Sequence, residues 1–190
     1  MKYDIVLAGV GGQGILTIAA IIGQAAVSHG LNVKQSEVHG MSQRGGSVVA
    51  HLRLGSAAIK SDLIAPGSAD MVLAMEPMEA LRNLEFLSPA GVLISNTTPV
   101  INIGNYPPLP ELLSALRTHA NNHLIDGDQM AKDLGSARSV NMVLLGAMAA
   151  YLTLPEETLT AAIRELFTRK GESVIASNLK AFAAGRAAVN

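Results

Sequence analysis

Short apolar runs alternate in this chain with longer segments of helical spacing, and this succession predicts an α/β fold. Tyr3–Ala8 is a short apolar run that ends in glycines, as buried strands do. Ile15–His29 carries Ala, Ile and Leu at helical spacing, and Gly30 follows it as a helix C-cap. Leu31–Glu37 predicts a second strand. Such a strand–helix–strand unit normally belongs to a parallel sheet with a right-handed crossover.

The middle of the chain predicts an antiparallel element. Ser47–Leu54 and Ala57–Ile64 flank Gly55-Ser56, which is typical of a β-hairpin. Beyond it, Pro77 stands where the first turn of a helix would begin. Pro99–Pro110 holds half of the prolines and predicts a loop.

The rest of the chain predicts strands Ala69–Met75, Gly91–Ser95 and His123–Ile125, and helices Met78–Phe86, Leu112–Ala120, Gln129–Leu134, Ser139–Leu152, Glu156–Thr168 and Val174–Gly185. We therefore predict an α/β fold in which residues 1–190 form a single three-layer, Rossmann-like domain. Its sheet is mainly parallel, with an inserted β-hairpin and helices at the C-terminal end.

Composition and charge exclude several classes of function. The 190 residues include 14 Lys plus Arg and 15 Asp plus Glu, with a net charge of −1 and 3% aromatic residues. We therefore expect no nucleic-acid partner, because neither a basic surface nor a stacking platform is present. The chain has no cysteine. This rules out a thiolate-bound iron–sulfur cluster, a disulfide framework and a cysteine nucleophile within it.

The hydropathy of the chain points to a cytoplasmic protein that covers apolar surface with a partner. Charged residues make up 15% of the chain, below the usual quarter, and mean hydropathy is +0.32. The apolar segments Ile15–Val27 and Val140–Leu154 are shorter than the roughly 20 residues that span a bilayer. Asp4 and a glycine loop follow Lys2 at once, so we predict no signal peptide.

A glycine-rich loop lies between the first predicted strand and the first predicted helix. Gly9, Gly11, Gly12, Gln13 and Gly14 belong to a G-x-G-x-x-G pattern in the context that this pattern requires. They are candidates for holding a bound anion, because glycines let the backbone approach it and a helix N-terminus offers N–H groups. A glycine turn that serves only close packing of strand and helix is an equally open interpretation.

An acidic residue about 20 positions after such a loop would favour a dinucleotide. Glu37 stands near that position, but a long polar loop and a hairpin follow it where a dinucleotide fold continues with a helix. The chain also lacks a thiamine motif of its own, because Asp126-Gly-Asp128 has the wrong order, and Asp128 suits a helix cap. We predict no metal site, since His119 and His123 lack the glutamate of H-E-x-x-H.

A second loop, residues 36–47 (S-E-V-H-G-M-S-Q-R-G-G-S), is the densest polar run in the chain. It follows the second predicted strand, at the sheet edge where ligands bind in open parallel sheets. Arg44 suits an anion clamp, and Glu37 and His39 suit proton carriers or polar contacts. The other candidates for anion binding in this loop are Ser42, Gln43, Gly45 and Gly46.

Five segments, in the same order, resemble the small subunit of 2-oxoacid:ferredoxin oxidoreductases. They are the glycine loop, S-E-V-H-G-M-S-Q-R-G-G at 36–46, A-D-M-V-L-A-M-E-P at 69–77, N-M-V-L-L-G at 141–146 and N-L-K-A-F at 178–182. The resemblance extends over nearly the whole chain. The 36–46 segment is most similar to the branch that acts on indolepyruvate or other arylpyruvates.

The resemblance implies a shared catalyst. In this family a larger subunit carries thiamine diphosphate with magnesium and, in many members, the iron–sulfur clusters, so this chain would bind no cofactor alone. The complex decarboxylates a 2-oxoacid, reduces ferredoxin and forms an acyl-coenzyme A. The resemblance therefore implies a gamma-type domain that is inactive alone and completes the partner's active site, with the 36–47 loop near the thiamine or coenzyme A.

Two other interpretations are open at this point. One is a free-standing Rossmann protein that binds NAD(P) or a flavin, which the glycine loop and Glu37 favour. Such a protein would gain thermal stability from the nucleotide, because the ligand binds only the folded state. The other is a non-catalytic assembly subunit whose polar loop only forms an interface.

Overall fold

The computed structural model describes residues 1–39 and 45–189. The strands are β1 (Lys2–Val10), β2 (Asn32–His39), β3 (Ser47–Gly55), β4 (Ala69–Ala74), β5 (Leu87–Asn96) and β6 (Asn122–Ile125). The helices are α1 (Ile15–Ser28), α2 (Pro77–Asn83), α3 (Leu109–Arg117), α4 (Gly127–Asp133), α5 (Val140–Ala149), α6 (Glu156–Phe167) and α7 (Glu172–Ala187). Short 3₁₀ turns follow α2 and α6, at Leu84–Phe86 and Thr168–Lys170.

The six strands form one sheet in the order β2-β3-β1-β4-β5-β6. The pairs β1–β4, β4–β5 and β5–β6 are parallel, whereas β3 runs antiparallel to both β1 and β2. The predicted mainly parallel sheet with an inserted hairpin is confirmed. However, β3 separates β1 from β2, so the strand–helix–strand unit at the start of the chain does not pair its own two strands.

The predicted partner of the hairpin is wrong. The hairpin is formed by β2 and β3, and Ala57–Ile64 is irregular rather than a strand. Side chains of β3 satisfy the backbone of this segment in place of a strand ladder. The Arg53 guanidinium donates to the carbonyl oxygens of Ser61 (3.0 Å) and Leu63 (2.9 Å). The N–H of Ile64 donates to Nδ1 of His51 at 2.9 Å.

Helices cover both faces of the sheet, which confirms the three layers. Ile5 and Leu7 of β1 point to one face and pack in a cluster with α1 and α4–α7. Val6 and Ala8 point to the other face and pack with Ala80 of α2 and other buried residues. Successive residues of a strand face opposite sides, so a strand buried on both faces reads as a continuous apolar run. None of the helices in the described parts of the chain is long and apolar enough to cross a bilayer.

Side-chain caps fix where two of the helices begin. Glu76 caps α2 by accepting a hydrogen bond from the N–H of Glu79 (2.6 Å), and Pro77 takes the first helical position as predicted. The predicted cap of α4 is wrong. Asp126 accepts from the N–H of Gln129 (3.0 Å) and caps α4, whereas Asp128 accepts from Nδ2 of Asn96 (2.8 Å).

The topology places a crevice between β1 and β4. After β1 the chain passes through α1 to the β2–β3 side of the sheet, and after β4 it passes through α2 to β5 on the other side. The two connections therefore diverge between the carboxyl ends of β1 and β4. Ligands of open α/β sheets bind at such switch points.

A buried ion pair joins β1 to β3 near the amino end of β1, away from the crevice. Asp4 is 1% exposed and accepts hydrogen bonds from Nε and Nη2 of Arg53, both at 2.9 Å. The ammonium of Lys2 lies 2.7 Å from the same carboxylate. Burial alone would raise the pKa of Asp4, but the hydrogen bonds and charges of Arg53 and Lys2 together hold it below its usual value.

This pair predicts a specific loss of stability in acid. Because the folded pKa of Asp4 lies below the unfolded one, its contribution is present above about pH 4 and is lost as pH falls through the folded pKa. We expect Asp4→Asn to lower the free energy of unfolding by about 1–3 kcal/mol at pH 7. The variant should also flatten the acid limb, which is the decrease of this free energy as pH falls. Urea unfolding between pH 3 and 7 measures both effects. The exposed control Glu165→Gln should follow the wild type, and an unchanged acid limb in Asp4→Asn would contradict the assignment.

Candidate functional site

The glycine loop crosses from β1 to α1 at the switch point, and Gln13 fixes its shape. Oε1 of Gln13 accepts from the N–H of Val10 at 2.7 Å, and its Nε2 donates to the carbonyl oxygen of Met75 at 3.1 Å. The Gln13 side chain therefore closes the loop on itself and ties it to the residue that follows β4.

Two glycines of this loop cannot be replaced without movement of their neighbours. Gly14 has φ +82°, and a Cβ there would also meet the side chain of Asn141. At Gly9, a Cβ would lie 2.8 Å from Cδ1 of Ile15 and 2.9 Å from Cβ of Met75. Close packing thus accounts for these two positions.

The glycine loop pairs with the residues that precede β3. The N–H of Gly11 donates to the carbonyl oxygen of Gly46 at 2.8 Å, and the N–H of Gly45 donates to the carbonyl oxygen of Gly11 at 3.4 Å. These bonds continue the β1–β3 ladder, whose last pair is Val10 and Ser47. Residues predicted to form two separate candidate loops therefore lie side by side.

A cleft of about 380 Å³ opens beside this pairing. It is lined by Val10, Gly11, Gly12, Gly14, Ile15, Leu16, Thr17, Glu37 and Val48. The lining is mainly apolar, with backbone of the glycine loop on one side and the carboxylate-bearing Glu37 on β2. This is the composition of a small-molecule site, in which a few polar groups fix orientation.

The polar groups of the cleft suit a ligand with an anionic part. Helix α1 begins at Ile15 without a side-chain cap and without an acidic residue in its first turn. Ile15, Leu16 and Thr17 of this first turn line the cleft, so the positive end of the helix dipole lies beside it without a carboxylate of the helix itself to compensate it. Glu37 adds an acceptor for a hydroxyl or amino group, and Nε2 of Gln35 donates to it at 3.3 Å.

The position of Glu37 differs from that of the acidic residue in a dinucleotide fold. Strand β3 lies between β1 and β2, so Glu37 is two strand spacings, about 10 Å, from the strand that precedes the glycine loop. His39 ends β2, where its backbone pairs with Val48. The candidates Ser42, Gln43 and Arg44 lie outside the described residues.

Two buried carboxylates, each with its own hydrogen-bond donors, lie beside the glycine loop, and local sequence patterns did not predict them. Glu76 and Glu79 are 1% and 2% exposed. Glu76 accepts from the hydroxyl of Tyr106 at 2.6 Å. Glu79 accepts from the hydroxyl of Ser47 at 2.6 Å and from Nη1 of Arg82 at 2.9 Å. The available signal was Glu76 followed by a proline directly after a buried strand. The hydrogen-bond partners of the two glutamates, Tyr106 and Ser47, are distant in sequence.

Tyr106 is held as a hydrogen-bond donor to Glu76. Burial raises the pKa of its phenol, and the hydrogen bond to Glu76 raises it further. The hydroxyl therefore keeps its proton at neutral pH and anchors the Pro99–Pro110 segment to the end of β4.

The described residues offer no ready metal site. No group of three or more His, Cys, Asp or Glu suited to a metal occurs within 1–39 and 45–189. Nε2 of His119 lies 3.2 Å from the carbonyl oxygen of Gly91, and His123 hydrogen-bonds the hydroxyl of Tyr151. Each imidazole is thus engaged with a different element.

Comparison with known proteins identifies the family. Residues 4–188 match the family described as pyruvate ferredoxin/flavodoxin oxidoreductase. The chain belongs to this family. Indolepyruvate oxidoreductase subunit IorB from Methanothermobacter thermautotrophicus is 40% identical over 194 residues, covering 97% of this chain and 96% of that subunit. The resemblance stated from the motifs is confirmed.

Solved structures of the family share the fold. The 2-oxoglutarate:ferredoxin oxidoreductase from Magnetococcus marinus, with 2-oxoglutarate, coenzyme A and succinyl-CoA bound, has a TM-score of 0.79 at 27% identity. The match covers 99% of this chain and 31% of that chain. The gamma subunit of a keto/oxoacid ferredoxin oxidoreductase from Geobacter sulfurreducens has a TM-score of 0.69 at 26% identity, covering 98% of both chains.

Four of the five family-like segments meet at the candidate site. The glycine loop, residues 45–46, Met75-Glu76 and Asn141 all lie around the switch point, where a second cleft of about 350 Å³ is also lined by Gly12, Gln13, Met75, Asp128, Ala137, Arg138, Val140 and Asn141. The fifth segment, 178–182, lies in α7 and packs on α5 in the core. The motifs that mark the family are therefore concentrated at one edge of its sheet.

Proposed function

We propose that this chain is the small subunit of an indolepyruvate- or arylpyruvate-type 2-oxoacid:ferredoxin oxidoreductase. In this proposal residues 1–190 act as one gamma-type domain, in the cytoplasm, as part of a complex with a larger subunit. The complex converts a 2-oxoacid and coenzyme A to an acyl-coenzyme A and carbon dioxide, and passes two electrons to ferredoxin. The observation that carries the proposal is the 40% identity to an indolepyruvate oxidoreductase subunit over nearly the full length of both chains.

The side chains available for metal ligation in this chain support the placement of the cofactors in the larger subunit. The chain has no cysteine to ligate an iron–sulfur cluster. The Asp126-Gly-Asp128 turn is also used structurally, since Asp126 caps α4 and Asp128 accepts from Asn96. These residues do not fit an iron–sulfur cluster or magnesium-bound thiamine diphosphate. We assign both groups to the larger subunit, and no step of the chemistry runs through this chain's own metal or cofactor.

The role proposed for this chain is to complete the wall of a shared active site. The cleft beside Gly11 and Gly12 combines the N-terminal turn of α1 with apolar side chains, which suits an elongated ligand with an anionic part such as coenzyme A. Arg44 would clamp a phosphate or carboxylate, and Glu37 and His39 would make polar contacts or carry protons. Binding and orientation by such groups place reactants for chemistry that the partner performs.

A substrate panel tests this function. The chain is co-expressed without oxygen with the larger subunit from the same host, and ferredoxin reduction is followed with indolepyruvate, phenylpyruvate, pyruvate and 2-oxoglutarate, each with and without coenzyme A. We expect coenzyme A-dependent reduction with the highest kcat/KM for an arylpyruvate. A complete lack of ferredoxin reduction with all four 2-oxoacids would overturn the proposal.

Arg44→Ala tests the anion clamp. Loss of a charge-assisted hydrogen bond of about 1.5–3 kcal/mol should raise the KM of the complex for coenzyme A or for the 2-oxoacid about 10- to 100-fold. Arg117→Ala, an exposed arginine at the end of α3, is the matched control and should leave both KM values unchanged. A complex with Arg44→Ala that assembles and turns over normally would remove Arg44 from the site.

A further inference from the structure

The segment between β5 and α3 touches the candidate site at two points. The hydroxyl of Tyr106 donates to the buried Glu76 at 2.6 Å, and the N–H of Val100 lies 3.4 Å from the same carboxylate. Between these anchors, Nδ2 of Asn102 donates to the carbonyl oxygen of Gly45 at 2.8 Å. Glu76 therefore fixes the segment at Val100 and Tyr106, and the exposed side chain of Asn102, which lies between them, holds Gly45.

Gly45 pairs directly with Gly11, which lines the cleft. Its N–H donates to the carbonyl oxygen of Gly11, and the N–H of Gly11 donates to the carbonyl oxygen of Gly46. The amide of Asn102 thus holds the carbonyl group of Gly45, the residue whose N–H pairs with the glycine loop. On the other flank, Ser47 is held by Glu79, which lies in the same helix that Glu76 caps.

We propose that Asn102 and Tyr106 are positioning residues, which hold Gly45 and through it the glycine loop in the geometry that the shared active site requires. Tyr106 locks the segment onto Glu76, and Asn102 passes that restraint to the backbone of Gly45. Neither residue touches the reacting atoms. The inference rests on the proposed function for its kinetic consequence, whereas the restraint itself is a property of this chain.

Matched variants in the complex with the larger subunit test the proposal. Asn102→Ala removes one exposed amide, and Asn105→Ala removes the same group from the same segment, at a side chain that forms no hydrogen bond within residues 1–39 and 45–189. Tyr106→Phe removes one hydroxyl, and Tyr151→Phe removes another that bonds His123 at a distance from the site. Each complex is measured for kcat/KM with an arylpyruvate, for melting temperature and for amide hydrogen exchange at Gly11 and Gly45.

We expect Asn102→Ala and Tyr106→Phe to lower kcat/KM about three- to tenfold, which is the range for one hydrogen bond. Exchange at Gly11 and Gly45 should quicken in both, and the double variant should lose less than the product of the single losses, because both act through one restraint. The two controls should stay within about twofold of the wild type in every readout.

Two results would overturn the proposal. One is equal exchange at Gly11 and Gly45 in Asn102→Ala and Asn105→Ala. The other is that Tyr106→Phe and Tyr151→Phe lower both kcat/KM and the melting temperature by the same amounts. A purely structural role of the two hydroxyls would give that pattern. If the wild-type complex oxidises no 2-oxoacid, the proposed function fails, and the exchange measurements still decide whether the restraint exists.

Discussion

Alanine at Gly146 or Gly185 is expected to lower the free energy of unfolding by about 3 kcal/mol or more. The two glycines face each other where α5 crosses α7. A methyl group at Gly146 would overlap the backbone carbonyl oxygen of Phe182, and one at Gly185 would overlap that of Val143. Both obstacles are backbone atoms, so relief requires the helices to separate. Val143 and Phe182, which are fully buried at the crossing, would then lose contacts.

Thermal unfolding of the purified chain measures this effect. At about 2–4 °C per kcal/mol for a chain of this length, the melting temperature should fall by about 6–12 °C. Gly23→Ala is the matched control, because Gly23 is also helical and a Cβ there meets only Cγ1 of Val33 at 3.7 Å. Replacing it should be neutral or stabilising by up to about 1 kcal/mol. Equal effects at Gly23 and Gly146 would show that the crossing is looser than described.

Tryptophan at Leu16 is expected to reduce turnover of the complex about a hundredfold or more. Leu16 is 40% exposed and lines the cleft in the first turn of α1. A bulky ring there would occupy the cleft and displace whatever the shared active site places in it, and a misplacement of about 1 Å costs on the order of 10²-fold in rate. The melting temperature should change little, because the new side chain extends from an exposed position.

Val27→Trp is the control for this prediction. Val27 is 62% exposed near the other end of the same helix and does not line the cleft. The larger residue should leave turnover and assembly unchanged there. Normal turnover in Leu16→Trp would remove the cleft from the active site. Loss of assembly without any effect on turnover per assembled complex would make the cleft an interface only, as in a non-catalytic assembly subunit.

Local patterns predicted most of the strands and helices because the residues of each element carry the apolar periodicity or the end signals that are typical of it. Buried parallel strands contain continuous apolar runs, as in Met71–Met75. Helix starts carried chemical signals such as Pro77. The hairpin partner was wrong because Ala57–Ile64 is apolar enough for a strand, and its backbone is satisfied by the side chains of Arg53 and His51.

The candidate site was predicted in part for a similar reason. The glycine loop and Glu37 can be recognised from residue type and spacing, and both line one cleft in the structure. The Glu76–Tyr106 and Asn102–Gly45 contacts join residues 30 and 57 positions apart, so no local pattern marks them. The prolines correctly predicted a loop from Pro99 to Pro108, but α3 begins at Leu109, three residues before the predicted Leu112. The residues that this loop holds depend on tertiary structure.

We infer that this chain works as the small subunit of a 2-oxoacid:ferredoxin oxidoreductase. The most direct test is affinity purification of the tagged chain from its own host, grown without oxygen, with identification of whatever accompanies it and a visible spectrum. We expect a larger, cysteine-rich, brown partner in fixed ratio, and coenzyme A-dependent reduction of ferredoxin by an arylpyruvate. A colourless chain purified alone and stabilised by NAD(P) would contradict the account.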